Sequence, residues 1–319
     1  MKNPETQFTQ ALKSVARNES IKHHIEQSPE LYPVLLKAAK RYVAGEERND
    51  GVILANELVS SGYSVSLEYI GENTTSLEEC QKAKEEFLKL IEEMGSMSMR
   101  QTVSLDLSHI GLSLNRETAY LHLLEIAKKA QNYGITVMIS MEESAKTNDI
   151  LSIYKKATEQ YPNVGITIQA HSNRSSNDIQ ELIHYPGKIR LVKGAYEEPS
   201  TIAIARSKDL NNRYLQFVEY LIDANHPISI ATHDESILQE LEHRQYLKQP
   251  QVEIEMLYGI RQDLIKDLKR KGYNSKVYLT YGTEWYLYLC HRIAEYPENL
   301  FLAITDIINP SFIESSRSY

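Results

Sequence analysis

The feature that most constrains the fold is a repeated unit. From about residue 64, a short run rich in β-branched residues is followed by a longer amphipathic stretch, and the unit recurs about every 30 residues. Helical segments such as Glu117–Asn132 and Asn212–Ala224 separate the strands, and another helix begins near Glu284 after the last strand. The predicted strands are Ser64–Ile70, Thr102–Leu107, Thr136–Ser140, Gly165–Gln169, Ile189–Lys193, Ile228–Thr232, Val252–Met256 and Val277–Thr280. Eight successive βα units favour an α/β fold of the (β/α)8 TIM-like barrel type, with a doubly wound open sheet as the alternative.

The segment before the first strand has a different pattern. Apolar residues recur there at helical spacing, as at Phe8, Leu12 and Val15. We therefore predict an N-terminal helical arm over residues 1–46, and a barrel over residues 47–319 that carries the functional sites.

Charge, cysteine content and hydropathy limit the partners and the compartment. The net charge of -8 includes no basic block that would neutralise a phosphate backbone, so nucleic acid is not an expected partner. Cys80 and Cys290 are far apart, which argues against a disulfide framework and a paired-cysteine metal site. The N-terminus is polar and no apolar run reaches about 20 residues. These features predict a cytoplasmic protein and leave open contact of a surface helix with the inner face of the membrane.

The predicted strand ends are rich in polar residues. In barrel enzymes the chemistry takes place at the C-terminal ends of the strands and in the loops that follow. Polar side chains buried together without partners would be costly, so we predict a site at this face. The residues are Glu68, Asp106, His109, Ser140, Glu142, Gln169, His171, Lys193, Tyr196, Thr232, His233, Glu255, Tyr258 and Tyr278.

Two common chemistries lack their motifs. The histidines follow different strands and no HxH or HExxH pair occurs, so no metal is predicted. Neither GxGxxG nor GxxxxGK[ST] is present for binding phosphate. In IRLVKGAYEEP, the bases Arg190 and Lys193 precede the small residues Gly194 and Ala195, which would let a flat or phosphorylated ligand approach the backbone. The alternative is a strand with two solvent-facing bases.

Several motifs occur in an informative order. RLVKGAY, ATHD, EIEMLYG and VYLTYGTEWYLYLCHRIAEYPEN resemble successive signatures of the proline dehydrogenase family, and RYVAGE, EYIGE, VSLDLSHIGL and ISMEES extend the resemblance over nearly the whole chain. The resemblance implies a monofunctional bacterial-type enzyme that binds FAD without a Rossmann fingerprint. It also implies oxidation of L-proline to 1-pyrroline-5-carboxylate by hydride transfer to flavin N5.

The resemblance assigns residues to the cofactor. Arg190 would lie beside the flavin ring, where a cation stabilises negative charge on the reduced flavin. Gln169 and Thr232 also have a structural interpretation, in which they satisfy backbone groups at strand ends. The cofactor residues are Gln169, Arg190, Lys193, Gly194, Thr232 and His233.

A second set is assigned to the substrate. Its apolar and aromatic members would line a pocket for a small saturated ring. The motif VYLTYGTEWYLYLCHRIAEYPEN places four residues on one helix face, because they are spaced i, i+3, i+4 and i+7: Tyr288, His291, Arg292 and Glu295. The resemblance implies that Arg292 binds a carboxylate there and that Glu295 lies near the amine. The substrate residues are Asp106, Ser140, Ala195, Tyr196, Leu257, Tyr288 and His291, and those expected to act in catalysis are Arg190, Tyr278, Arg292 and Glu295.

Three positions depart from the family pattern. Asp106 stands where a lysine is expected, Ser140 where an aspartate is expected, and His291 where the first of two arginines is expected. A charge-assisted hydrogen bond contributes roughly 1.5–3 kcal/mol, so we expect proline to bind less tightly than in an ordinary member. Asp106 either attracts a cationic group on the substrate or faces the solvent.

The departures leave two alternative functions open. One is a paralogue that oxidises another cyclic or secondary amine, and the other is a flavin-binding protein that has lost proline activity. For the electron acceptor, the resemblance implies a membrane quinone.

Overall fold

The eight predicted strands form a closed barrel. A computed structural model describes residues 4–16, 18–296, 298–309 and 319. Each strand pairs in parallel with the next along the chain, and the eighth pairs with the first. The strands are β1 (Ser64–Tyr69), β2 (Thr102–Leu105), β3 (Thr136–Ile139), β4 (Val164–Gln169), β5 (Ile189–Val192), β6 (Ile228–Ala231), β7 (Val252–Leu257) and β8 (Ser275–Tyr281). The predicted (β/α)8 architecture is therefore confirmed, and the open sheet is excluded.

Helices precede, separate and follow the strands. They are α1 (Pro4–Ala16), α2 (Glu19–Glu26), α3 (Leu31–Ala39), α4 (Arg48–Ser60), α5 (Leu77–Ser96), α6 (Arg116–Asn132), α7 (Thr147–Thr158), α8 (Ser175–Leu182), α9 (Lys208–Asp223), α10 (Glu235–His243), α11 (Gln262–Arg270), α12 (Trp285–Glu295) and α13 (Asn299–Ile308). Single 3₁₀ turns span Ser144–Lys146 and Tyr246–Lys248. Helix α9 begins four residues before the predicted Asn212, because the Ser207 side chain accepts a hydrogen bond from the Leu210 N–H and caps it there.

The alternation of side chains along the strands makes the centre of the barrel polar. Leu67 and Val103 belong to the apolar layer between strands and helices. Ser66 and Ser104, each one residue away, contact one another inside the barrel, with 2.7 Å between their hydroxyl oxygens. This period of two directs alternate side chains to opposite sides of the sheet, so polar residues meet in the interior.

The N-terminal helices pack on the C-terminal ones. Residues of α1–α3 share a hydrophobic cluster with α12 and α13, separate from the main barrel core. The segment after α3 is fixed by a buried ion pair, in which Arg41 donates to both carboxylate oxygens of Asp306 over 2.5 and 2.6 Å. The division at residue 46 stays a prediction, and residues 1–3, 17, 297 and 310–318 lie outside the described part of the chain. None of the helices in the described ranges combines the length and apolar composition that a bilayer crossing requires.

Candidate active site

The predicted site residues gather at one end of the barrel. Gln169 ends β4, Lys193 follows β5, Thr232 follows β6 and Leu257 ends β7. Because all strands are parallel, these positions open on one face, which we call the mouth: the C-terminal ends of β1–β8 and the loops after them. The mouth is where a ligand of a barrel enzyme is expected.

Arg190 occupies the centre of the barrel below the mouth. Its side chain is 4% exposed and makes a bidentate pair with Glu255, with Nε to Oε2 at 2.9 Å and Nη2 to Oε1 at 2.8 Å. Nη2 also donates to the hydroxyls of Ser66 and Ser104, over 2.9 and 2.8 Å. The guanidinium lies 4.9 Å from the centre of the Tyr278 ring. A carboxylate edge, two hydroxyls and an aromatic face therefore hold this cation.

A buried acidic group lies beside Tyr278. The Tyr278 hydroxyl donates to Glu68, and burial raises the pKa of Glu68 to about 7 despite this bond and the nearby charge of Arg190. Burial, and next the negative charge of Glu68, raises the pKa of Asp106 well above its ordinary value, although Ser140 donates a hydrogen bond to it. Two carboxyl groups desolvated together cannot both ionise easily near neutral pH. Asp106 and Ser140 therefore lie in the predicted site and form a direct pair.

Tyr196 lies against the same acidic group. Burial raises its pKa, and the charges of Asp106 and nearby glutamates add to that effect. Ala195, which precedes it, is exposed. Of these two predicted substrate residues, the structure brings Tyr196 into the polar group and leaves Ala195 facing solvent.

Lys193 and Thr232 are tied to the start of α10. Lys193 Nζ lies 2.5 Å from Oδ2 of Asp234, and the Asp234 N–H donates to the Thr232 hydroxyl over 3.1 Å. Burial works against ionisation of Asp234, yet hydrogen bonds from Lys193 and Ser236 hold its pKa at about 2. Lys193 is thus a cation with a fixed carboxylate partner rather than a solvent-facing base.

Gln169 and Gly194 complete the side of the mouth formed by β4 and β5. The Gln169 amide donates to the carbonyl oxygens of Met141 and Glu142, over 3.3 and 2.9 Å, as the structural interpretation of this residue predicts. Gly194 has φ +110°, and a Cβ there would lie 1.5 Å from Nδ1 of His171. Only glycine fits this close approach and this backbone conformation.

His233 carries a buried donor without an acceptor. Its Nε2 accepts the Leu257 N–H over 3.2 Å, so the ring proton of the neutral form is on Nδ1. Burial first, and then the charges of Arg292 and Arg261, lower the pKa of His233 to about 3, which keeps the ring neutral. Nδ1 is buried and makes no hydrogen bond to the described residues. Leaving a buried donor unpaired costs about 1–3 kcal/mol, which an acceptor atom on a bound ligand would recover.

Helix α12 presents the remaining predicted residues. The Arg292 guanidinium lies 4.9 Å from the Tyr288 ring centre, and its two terminal nitrogens lie 2.9 Å from the carboxylate oxygens of Glu295. Arg292 Nε is buried and has no acceptor among the described residues. Glu295 is exposed and pairs with this arginine, while His291 is half-buried on the same helix. The arginine therefore has an unused donor for an anion.

Sequence reasoning placed Glu255 among the polar strand-end residues without giving it a role, and it did not assign Ser66, Ser104 and Ser229 to the site. Ser229 donates to Glu255 Oε2 over 2.5 Å, so all four residues belong to the network around Arg190. Alternation within EIEMLYG could have indicated that Glu255 faces the interior, since it lies two residues after Glu253. Among the described residues, no group of three metal-ligating side chains is arranged to hold a metal ion.

Comparison with known proteins identifies relatives of this chain. The family model described as proline dehydrogenase matches residues 54–299. The chain is 32% identical to proline dehydrogenase 1 of Bacillus subtilis (strain 168) over 273 residues, which is 85% of this chain and 90% of that protein. It is 31% identical to the proline dehydrogenase of Deinococcus radiodurans over 278 residues, 85% of this chain and 90% of the relative.

A solved structure supports the fold. It is the proline utilization A (PutA) of Bdellovibrio bacteriovorus inactivated by N-propargylglycine, with a TM-score of 0.78 and 18% identity. The match covers 93% of this chain and 37% of the other, so the chain spans little more than a third of that longer protein. With a family match over most of the barrel and relatives above 30% identity across most of their length, this chain belongs to the proline dehydrogenase family.

Proposed function

We propose that this protein oxidises L-proline to 1-pyrroline-5-carboxylate with FAD bound at the mouth of the barrel. The observation that carries the proposal is Arg190, a buried guanidinium fixed against Tyr278 at the position where the family motif predicts the flavin ring. Family membership supports the reaction. The flavin, when bound, supplies the acceptor for a hydride from the carbon beside the ring nitrogen of proline.

The residues at the mouth fit a flavin. The unpaired Nδ1–H of His233 offers a donor to a heteroatom of the cofactor, and Arg190 offers a fixed positive charge. We propose Gln169, Lys193, Gly194 and Thr232 as the remaining contacts. Their role is to hold the cofactor and to stabilise the negative charge that reduction leaves on it.

On the substrate side, Arg292 would bind the carboxylate of proline through its unpaired Nε. Tyr278, Tyr288 and Leu257 would enclose the ring and exclude water, since all three are largely shielded from solvent. Water exclusion strengthens the interaction between Arg292 and the carboxylate. Glu295 stays a proposed neighbour of the substrate amine.

The first experiment is an anaerobic visible absorption titration of the purified protein with L-proline. A flavin spectrum that bleaches saturably is the expected result. A flavin spectrum that proline leaves unchanged would refute proline oxidation, and a colourless protein that does not take up added FAD would refute the cofactor assignment.

A second candidate is oxidation of another cyclic or secondary amine, and Asp106 favours it. The Asp106 carboxyl lies beside Glu68 and Tyr196, and a second cationic group on a substrate would favour its ionised form. The same titration with a set of cyclic amines distinguishes the two candidates, because only the true substrate will bleach the flavin.

The charge departures can be tested directly. The triple variant Asp106→Lys, Ser140→Asp and His291→Arg should lower the KM for proline, because it restores positive charge for the substrate carboxylate. Each single variant serves as a control, since Asp106→Lys alone would lack its aspartate partner. An unchanged KM in the triple variant would contradict the charge argument.

We further propose a cytoplasmic protein that passes electrons to a membrane quinone at the inner face of the membrane. Exposed apolar side chains on α13, including Phe301 and Ile308, support peripheral contact with a membrane. Reduction of a soluble quinone analogue by proline, with and without lipid vesicles, tests both the electron acceptor and the contact with the membrane.

The arm over residues 1–46 and the barrel over residues 47–319 are proposed as the two domains of the protein.

A further inference from the structure

Glu255 is the closest charged partner of Arg190 and has no other ionic contact among the described residues. Its two oxygens accept from Nε and Nη2 of Arg190, and its side chain is 2% exposed. Ser229 donates to the same carboxylate over 2.5 Å. Glu255 therefore has its orientation fixed before any ligand binds.

The hydrogen bonds of Arg190 are unevenly distributed over its guanidinium. Nε binds Glu255, and Nη2 binds Glu255, Ser66 and Ser104. Nη1 makes no hydrogen bond to the residues that the structure describes. The bidentate pair thus fixes one edge of the planar group and leaves a defined donor at the other end.

We propose that Glu255 is the positioning residue for Arg190, holding the guanidinium so that its free Nη1 end serves the bound flavin. The proposal rests on the proposed function, since it concerns the approach of Arg190 to the cofactor. A positioning role differs from a role in which Glu255 only balances the charge of Arg190. A carboxylate that only neutralised Arg190 would weaken the stabilisation of reduced flavin, whereas a carboxylate that positions Arg190 strengthens it.

Two substitutions separate these roles. Glu255→Gln keeps the size of the side chain but offers one acceptor oxygen in place of two. Glu255→Asp keeps the charge but shortens the reach, so the bidentate geometry is lost. A positioning role predicts that both variants reduce flavin with proline more slowly, by between about tenfold and a hundredfold, with the KM for proline changed much less.

The midpoint potential of the bound flavin gives a readout independent of turnover. If Arg190 moves away, the midpoint potential of the flavin should fall in Glu255→Gln, as is also expected for Arg190→Ala. If Glu255 only neutralises Arg190, the uncompensated cation should raise the potential and leave Glu255→Asp like the parent protein. That second pattern would overturn the proposal.

The chain offers a matched control on the same strand. Glu253 lies two residues earlier on β7, where Lys276 and Lys188 approach its carboxylate within 2.7 and 2.9 Å. Glu253→Gln removes a half-buried carboxylate of the same strand away from Arg190, and should leave the flavin potential unchanged. Equal shifts in the Glu253 and Glu255 variants would mean a general distortion of the barrel and would also overturn the proposal.

A milder variant and a measurement without flavin keep the test decisive. Should Glu255→Gln fail to fold, Ser229→Ala removes only the hydroxyl that supports Glu255, and smaller shifts in the same direction are expected.

In the flavin-free protein, the Nε–H signal of Arg190 in ¹⁵N NMR should exchange slowly with water, and faster in the variants. That result tests the positioning even if proline proves not to be the substrate, and unchanged exchange in every variant would refute it.

Discussion

The buried carboxyl of Glu68 makes the stability of this protein depend on pH. Glu68 is 9% exposed, and burial raises its pKa from 4.5 to about 7. In the unfolded chain the group ionises near its ordinary value. A raised folded-state pKa means that the contribution to stability is fully present below pH 4.5 and is lost as pH rises through about 7.

The size of the effect follows from the shift. Each pKa unit corresponds to about 1.4 kcal/mol, so ionising Glu68 in the folded protein costs about 3 kcal/mol. Glu68→Gln removes the titration while its amide oxygen can still accept the Tyr278 hydroxyl. The free energy of unfolding of the variant, relative to the parent protein, should therefore rise by about 2 to 3 kcal/mol between pH 5 and pH 8.

The assay is urea unfolding of the flavin-free protein, followed by circular dichroism at several pH values. The same substitution at Glu57, an exposed residue of α4, is the control for replacing a carboxylate on the surface. A difference between Glu68→Gln and the parent that stays constant from pH 5 to pH 8 would refute the reasoning.

Asp106 provides an internal check, because its pKa is raised partly by the charge of Glu68. In the parent protein, Glu68→Gln therefore also lowers the pKa of Asp106, an effect that is lost when Asp106 is replaced by asparagine. In that background, the gain from Glu68→Gln at pH 8 should be smaller than in the parent protein. Additive effects would show that the two carboxyl groups titrate independently.

Two further substitutions test the packing around the site. Asp306→Asn leaves the Arg41 charge buried without its partner and should cost about 3–5 kcal/mol in unfolding free energy, measured by thermal or urea unfolding; a variant as stable as the parent would contradict this. Gly194→Ala should destabilise the fold and lower flavin content, because the new methyl group meets His171, whereas Gly272→Ala at φ +85° with open space around it should cost only about 1–2 kcal/mol of backbone strain. Equal losses at the two glycines would show that the contact with His171 is unimportant.

Much of the fold could be predicted from the sequence because each strand is a short β-branched run. The differences are of one or two residues at strand ends. Strand β8 begins at Ser275 rather than Val277, since Lys276 faces the interior and donates to Thr102 and Glu253. From the sequence alone, a lysine at the start of a strand is expected to be exposed to solvent. Its burial becomes favourable only because a partner on another strand pairs with it.

Motifs in the sequence assign candidate site residues one by one, but they do not predict the network that these residues form. Motifs identified Arg190, yet Glu255 is 65 positions away and Ser66 is 124 positions away along the chain. Local patterns carry no information on which of several inward-facing polar residues will meet. For Glu295, the resemblance implied a position near the substrate amine, and the structure adds its direct pairing with Arg292.

Exposure decides which of the two arginines is available to a substrate carboxylate. Arg190 is paired with Glu255, whose side chain is 2% exposed, so displacing that partner would leave a buried charge uncompensated. Arg292 is paired with Glu295, whose side chain is 35% exposed and can be hydrated when it is displaced. Proline can therefore compete for Arg292 at little cost but not for Arg190. Because Glu295 occupies both terminal nitrogens of Arg292 and leaves only Nε unpaired, Glu295→Gln should lower the KM for proline in steady-state kinetics. A raised KM would show that the proposed contact of Glu295 with the substrate amine is the stronger effect.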